Sequence, residues 1–291
     1  MSHDFHLNGL SPDEKVVELH THSNMSDGLD PPEMLIQRAK SAGIRVISLT
    51  DHDTVAGLPR ASAEAKKLGM EFIPGIEFTC DHDGRSVHLL GHFIQPDAPR
   101  LVAQIKTHES ARVERMGEII DRLQDCGLEI DGKDFFTSYA NSPSITRGQL
   151  GAYMLKKGFA RSREQVFEKY IGESAPAYVN LDILSPFDAL ELIHDAGGVG
   201  TLAHPKLSGC DDLIPAMAQA GLAGIEVEHP SQDEDAKRHY RKMAEEHDLL
   251  CLGGSDCHGI PHKRDRLGQF SQPLRLLLEL SNRAKTRRAA T

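Results

Sequence analysis

Six imidazoles and three carboxylates stand out in this chain because each lies at or near the end of a run of apolar residues. Glu18-Leu19-His20-Thr21-His22 closes the first run, and two-residue spacing sends both imidazoles to one side of an extended backbone, where they could share a cation. Ser26-Asp27-Gly28 follows in the next loop. A second run leads into Thr50-Asp51-His52-Asp53, a third ends at Gly75-Ile76-Glu77 and a fourth carries His88. A fifth ends at Ala203-His204-Pro205 and a seventh at Gly254-Ser255-Asp256-Cys257-His258. The donors are therefore His20, His22, Asp27, His52, Glu77, His88, His204, Asp256 and His258. They are too many for one tetrahedral zinc. At about three or four protein ligands per ion, one of them shared, they suit two or three divalent cations, and nitrogen and oxygen ligation without thiolate suits Mn, Fe or Zn. Three such ions against three carboxylates would leave the pocket at about +3, a charge that favours a phosphate ester or another anion.

Seven stretches rich in Val, Ile and Leu must position these donors, and they read as strands over residues 16–20, 45–50, 71–78, 86–93, 199–203, 223–228 and 249–253. Helical patterns separate most of them. Asp30-Pro31-Pro32-Glu33 opens one helix, and Ser185-Pro186 opens another that Gly197 closes. Strand and helix in alternation predict a parallel α/β sheet or barrel, in which side chains at the carboxyl ends of the strands meet in one crevice. Residues 100–177 break the alternation with helical periodicity and no clear strand. They read as an inserted helical lobe, on a barrel made of residues 16–99 and 178–280, with 281–291 as a basic C-terminal tail. The glycines of Ala196–Gly200 precede a strand instead of following one, so they stop a helix and do not cradle a phosphate. Asp81-His82-Asp83-Gly84 reads as a hairpin turn.

Composition excludes other classes. At 39% hydrophobic and 26% charged, the chain has the balance of a soluble globular protein. No stretch approaches the roughly 18 apolar residues of a membrane span, and the start, MSHDFHLNGLSPDEK, lacks a signal pattern. Five cysteines without a C-x-x-C pair read as reduced thiols, which places the protein in the cytoplasm. A net charge of −10 with one short basic end argues against a grip on long duplex nucleic acid.

The order H-x-H, S-D-G, T-D-H-D, G-x-E, a strand histidine, A-H-P and S-D-C-H resembles the pattern of the PHP family, named for polymerase and histidinol phosphatase. The resemblance covers nearly the whole chain. It implies a distorted seven-stranded βα barrel with a trinuclear site. His20, His22, Glu77 and Asp256 would hold the first metal. Glu77 would bridge to a second bound by His88 and His204, and Asp27, His52 and His258 would hold a third. Within the family the chain looks most like stand-alone bacterial phosphoesterases, which include 3′,5′-nucleotide bisphosphate phosphatases and 5′-to-3′ exoribonucleases of the RNase AM type. The implied reaction is hydrolysis of a phosphomonoester of a small metabolite or nucleotide by a hydroxide held between metals, with no protein nucleophile and no general acid assigned.

This chain departs from its relatives near the substrate. Their Arg-x-His motif in the insertion is Arg147-Gly148-Gln149 here, and Pro205 is followed by Lys206 where an Arg is frequent one position later. Arg147, Lys206 and His229 are the candidate substrate contacts, although Arg147 also reads as a surface residue of the lobe and His229 as part of a strand-end turn. His92 shares a strand face with His88 and is the alternative ligand, whereas Cys257 should point away from the metals. Two other functions fit parts of the pattern: a non-catalytic, metal-stabilised PHP domain, and a C–N hydrolase of the amidohydrolase type. The latter commonly bridges its metals with a carboxylated lysine, where this chain has Glu77.

Overall fold

The computed structural model describes residues 9–181, 183–259 and 266–290, so the first eight residues and Thr291 of the tail lie outside the description. All seven predicted strands form: β1 (Lys15–Glu18), β2 (Val46–Leu49), β3 (Glu71–His82), β4 (Arg85–His92), β5 (Val199–Leu202), β6 (Gly224–Glu228) and β7 (Leu250–Gly253). An eighth, β8 (Gln272–Pro273), is two residues long and pairs antiparallel with β1. The sheet runs β7-β6-β5-β4-β3-β2-β1-β8 and curls into a nearly closed barrel.

The expectation of a parallel sheet needs correction at one strand, where the hairpin read at residues 81–84 forms. β4 is antiparallel to both β3 and β5. The reason is local: Asp83 and Gly84, with φ of 53° and 79°, reverse the chain in two residues, which leaves no length for a crossover helix. β3 also continues past Glu77 to His82, so Glu77 sits in mid-strand.

Helices α1 (Pro32–Ser41) and α2 (Leu58–Lys67) cover the sheet between the first strands, and α3 (Pro99–Asp125) leads into the inserted segment. That segment holds α4 (Gly132–Ser138), α5 (Arg147–Lys156), α6 (Arg163–Val166) and a π-turn over Phe167–Ile171. The chain returns to the barrel through α7 (Pro186–Asp195), α8 (Pro205–Ser208), α9 (Ile214–Gln219), α10 (Glu234–Glu246) and α11 (Leu274–Ala290). Residues read as a basic tail are therefore the second half of α11. Leu277, Leu280 and Ala284 bury against Val17, Val46, Ile73 and Val199, near the strand starts, and Arg288 donates to the carbonyls of Gly197 and Phe93 at 2.6 Å each. An amphipathic helix thus plugs the barrel end opposite the histidine loops.

The insertion has a core of its own, with Met116, Ile119, Leu123, Phe135, Leu150 and Met154 buried together. Leu101 and Ile105, about three to four turns earlier on α3, belong instead to the barrel core. One long helix is therefore shared between the two cores. A buried ion pair fastens it: Arg112 Nε donates to Asp53 Oδ2 at 2.8 Å, Nη2 donates to the same oxygen and to Thr79 Oγ1, and Nη1 reaches the Ile145 carbonyl at 3.1 Å. Asp53, next to His52, has a φ of 49° and accepts a further bond from the Thr79 amide at 2.9 Å. Arg112→Met should destabilise the protein by about 3–5 kcal/mol, because Asp53 would keep a buried charge without a partner. Thermal and urea unfolding measure this, and a loss under about 1 kcal/mol would show that the pair is not a structural fastening.

Candidate metal centre

Two short backbone pairings assemble the site. Thr21 bridges Cys257 in parallel, and His22 donates its amide to the Cys257 carbonyl at 2.9 Å. Alternation then turns Thr21 and Cys257 outward and sends His20, His22, Asp256 and His258 inward. Cys257 is fully buried among apolar residues and so turns away from the imidazoles, the direction expected of it. Gly254 permits the approach, since a Cβ there would fall 2.4 Å from the His20 Cβ. The second pairing, His52 with Glu77, sets that imidazole beside the carboxylate.

Glu77 is the hub. Its Oε2 lies 3.2 Å from His20 Nε2, His22 Nε2 and His52 Nδ1, and its Oε1 lies 2.9 Å from His88 Nδ1 and 3.2 Å from His204 Nε2. Five imidazoles from four parts of the chain surround one carboxylate with no solvent exposure. Asp256 Oδ1 stands 3.0 Å from His22 Nε2 and 3.4 Å from His20 Nε2. Asp27 Oδ1 stands 3.1 Å from His258 Nε2 and 3.9 Å from His52 Nε2. All nine sequence candidates thus meet in one pocket. His92 does not: its Nε2 bonds the Leu19 carbonyl at 3.0 Å below the site, and burial pushes it down to about 4.

Electrostatics favour cations here. Burial opposes ionisation of Glu77, but the His52, His20 and His88 rings hold it well below the usual carboxylate range, and Asp27 and Asp256 are held low by their own imidazole neighbours. Burial lowers His22, yet Asp256 and Glu77 outweigh it and raise that ring to about 10, while burial takes His52 down to about 3. The donor set also fits a metal sterically. His20 Nε2 and His22 Nε2 face each other at 3.1 Å, and buried Asp27 Oδ1 and His52 Nδ1 have no well-formed hydrogen bond, so a cation between the lone pairs satisfies what the protein leaves open.

Around these donors lie residues whose roles the sequence reading missed. Glu226 on β6 contacts His20 and the His204 amide. Glu18, raised to about 7 by burial, accepts from the Ser255 amide at 2.9 Å and ties β1 to the loop that carries Asp256. Asp51 accepts from the Ser23 amide and the hydroxyls of Ser23 and Ser26, at 2.6–2.7 Å, and shapes the loop before Asp27. Each is a charged side chain inside an apolar alternation or a ligand motif, a signal visible in the sequence.

The proposed substrate contacts separate. His229 is buried at the crevice, with Nε2 3.5 Å from Asp256 Oδ2 and its ring 5.2 Å from that of His204. It also closes the strand-end turn, because its Nδ1 accepts from the Ser231 amide at 3.1 Å. Arg147 is at the start of α5, its Nη1 bonded to the Ile171 carbonyl at 3.2 Å and its guanidinium 5.0 Å from the Tyr178 ring centre. The next residue, Gly148, rests against the metal pocket, since a Cβ there would fall 2.2 Å from Asp27 Oδ2. Gln149 completes a capping box with Thr146 and donates to the Ser26 carbonyl, so it pins α5 to the Asp27 loop. Lys206 Nζ pairs with exposed Asp233 at 2.5 Å.

This barrel, with its histidine and carboxylate hub, defines a metal-dependent hydrolase of the PHP type. Residues 18–112 match the PHP domain model. The chain is 32% identical over 249 residues to a 5′-3′ exoribonuclease of Haemophilus influenzae, covering 84% of this chain and 90% of that protein. It is 32% identical over 249 residues to a 3′,5′-nucleoside bisphosphate phosphatase of Chromobacterium violaceum, covering 83% and 87%. To a phosphoribosyl 1,2-cyclic phosphate 1,2-diphosphodiesterase of Eggerthella lenta it is 30% identical, covering 85% and 97%. Two solved structures share the fold over 92% of this chain and 96% of theirs. One is a Bifidobacterium adolescentis protein assigned as a metal-dependent phosphoesterase, at a TM-score of 0.85 and 25% identity. The other is an amidohydrolase from Chromobacterium violaceum that holds sulfate and no metal, at 0.82 and 30%. The chain belongs to the PHP family and is a hydrolase of phosphoester bonds.

Proposed function

We propose that this phosphoesterase releases phosphate from a small phosphorylated metabolite or nucleotide, with 3′,5′-nucleoside bisphosphates and the 5′ ends of short oligonucleotides as leading substrates. The observation that carries the reading is Glu77 within 3.2 Å of five imidazoles. His20, His22, Glu77 and Asp256 would hold one divalent ion; Glu77, His88 and His204 a second; and Asp27, His52 and His258 a third. Bound there, such ions supply Lewis acidity toward a phosphoryl group and toward water. The chain's own residues do the rest. Glu77 uses both oxygens to keep the imidazoles converged, and the lobe, pinned through Gln149 and Arg112, sets Arg147 within reach of a second phosphate. His229 offers a buried nitrogen at the edge of the crevice. The relatives differ in substrate while sharing phosphoester cleavage, which supports the reaction class more firmly than any one substrate. A cytoplasmic setting belongs to the same reading, in keeping with five free thiols. No described helix is long and apolar enough to cross a membrane.

The test is colorimetric phosphate release with Mn²⁺ from a panel of phosphomonoesters, nucleoside bisphosphates and 5′-phosphorylated oligonucleotides. Release from none of them, with turnover of amide substrates instead, would favour the C–N hydrolase. Elemental analysis of protein purified without chelators should find two to three equivalents of Mn, Fe or Zn, because so many buried donors repel one another without cations. Fewer than one equivalent after reconstitution would count against the ligand assignment.

A further inference from the structure

Glu226 lies in the middle of β6 between Ile225 and Val227, both fully buried in the core, so its carboxylate faces the barrel interior with 1% exposure. A charge in that position needs partners. It has two. Oε1 lies 3.0 Å from His20 Nδ1, and Oε2 accepts the His204 backbone amide at 2.9 Å.

Each contact has a consequence. A carboxylate can only accept, so His20 must carry a proton on Nδ1, which leaves Nε2 as the nitrogen whose lone pair a cation would take. That Nε2 is the atom aimed at the centre, 3.2 Å from Glu77 Oε2 and 3.4 Å from Asp256 Oδ1. At the other oxygen, His204 has φ 28° and ψ 57°, a backbone conformation that side-chain-bearing residues rarely adopt. The amide bond to Glu226 holds that residue, and its Nε2 reaches Glu77 Oε1 at 3.2 Å. One carboxylate therefore sets the tautomer of a ligand on one side of Glu77 and the backbone of a ligand on the other.

We propose that Glu226 is the positioning residue of the metal centre, fixing His20 and His204 together as ligands for the two ions that share Glu77. The proposal rests on the ligand assignment above. It turns on a chemical detail that glutamine cannot reproduce. An amide has one acceptor oxygen and one donor NH₂. If the oxygen faces His204, the NH₂ faces His20 Nδ1 and drives the proton onto Nε2, where it blocks the metal. If the oxygen faces His20, the NH₂ meets the His204 amide, donor against donor, and the rare backbone conformation is lost.

Glu226→Gln is nearly isosteric and should leave the far-UV spectrum of the metal-free protein unchanged. Zn²⁺ affinity, read by competition with a chromophoric chelator, should fall about 10-fold to 100-fold, the range for removing a partner of a ligating histidine. Wild-type affinity and stoichiometry in folded Glu226→Gln would overturn the proposal, and so would a lowered melting temperature with unchanged affinity in the folded fraction. Should this variant not fold, Glu226→Asp decides: a carboxylate one methylene shorter cannot span both partners and should lose about 10-fold in affinity, whereas wild-type affinity overturns the idea. Failure of the wild type itself to bind Zn²⁺ would sink the ligand assignment instead, so the two readings fail separately.

Discussion

Glu77→Ala should lower both bound metal and turnover by at least about 100-fold, a loss suited to a metal-assisted step worth several kcal/mol. No neighbour can take over. Asp256 Oδ1 reaches His20, His22 and His258, but among the described residues the imidazoles of His88 and His204 pair with no carboxylate other than Glu77. Removing it would leave five imidazoles facing one another around an uncharged gap, and any proton or cation entering there would lack its counter-charge. Elemental analysis and phosphate release on the same preparation check the expectation together. Wild-type activity, or loss of activity with metal content intact, would refute the shared-ligand role.

Arg147→Ala should raise KM by roughly 10-fold to 100-fold for substrates that carry a second phosphate, with metal content unchanged. Arg147 is not alone. Arg115 lies beside it over the same Tyr178 ring, at 5.7 Å, with its Nε on the Val179 carbonyl, and burial together with Arg147 and Arg112 pushes Arg115 down to about 9. Two guanidiniums bonded to carbonyl oxygens and set over one aromatic ring, with no ion pair to a carboxylate among the described residues, are a setting that an anion would relieve. Guanidinium binds phosphate as a planar fork, so Arg147→Lys should recover only part of the loss. A monoester without the second phosphate should respond little. Equal losses on both substrates would assign Arg147 to holding the lobe, where it also bonds the Ile171 carbonyl, and no loss on either would return it to the surface.

Much of the centre was legible because its signals are local. H-x-H on a strand, with Ser-Asp-Cys-His on another, states by alternation alone that His20, His22, Asp256 and His258 point one way and Cys257 the other. Apolar runs of strand length marked seven strands, and Asp83-Gly84 marked the turn between two of them. That hairpin sets β4 antiparallel to β3, and the tertiary fold then sets β5 antiparallel to β4. The short β8 escaped because Gln272-Pro273 has no alternation to read. The basic end of the chain masked α11: its charges are conspicuous, whereas Leu277, Leu280 and Ala284 bury a face that only the barrel bottom defines. Lys206 looked adjacent to the centre because it follows His204 by two residues. The fold pairs it with Asp233, a partner that the sequence around Lys206 does not name.

The chain by itself determined which donors exist, their placement along strands or in the loops that follow them, and therefore a cation-binding pocket able to attract phosphate. Residue type and two-residue periodicity suffice for that, since both are properties of short stretches. Tertiary structure decided the pairings: Glu77 as the hub of five imidazoles, His88 over His92, Glu226 across two ligands, and Arg112 on Asp53. These contacts join residues that are far apart in sequence, up to 206 positions for Glu226 and His20. They depend on how a closed sheet brings strand ends together, a geometry that no local pattern encodes.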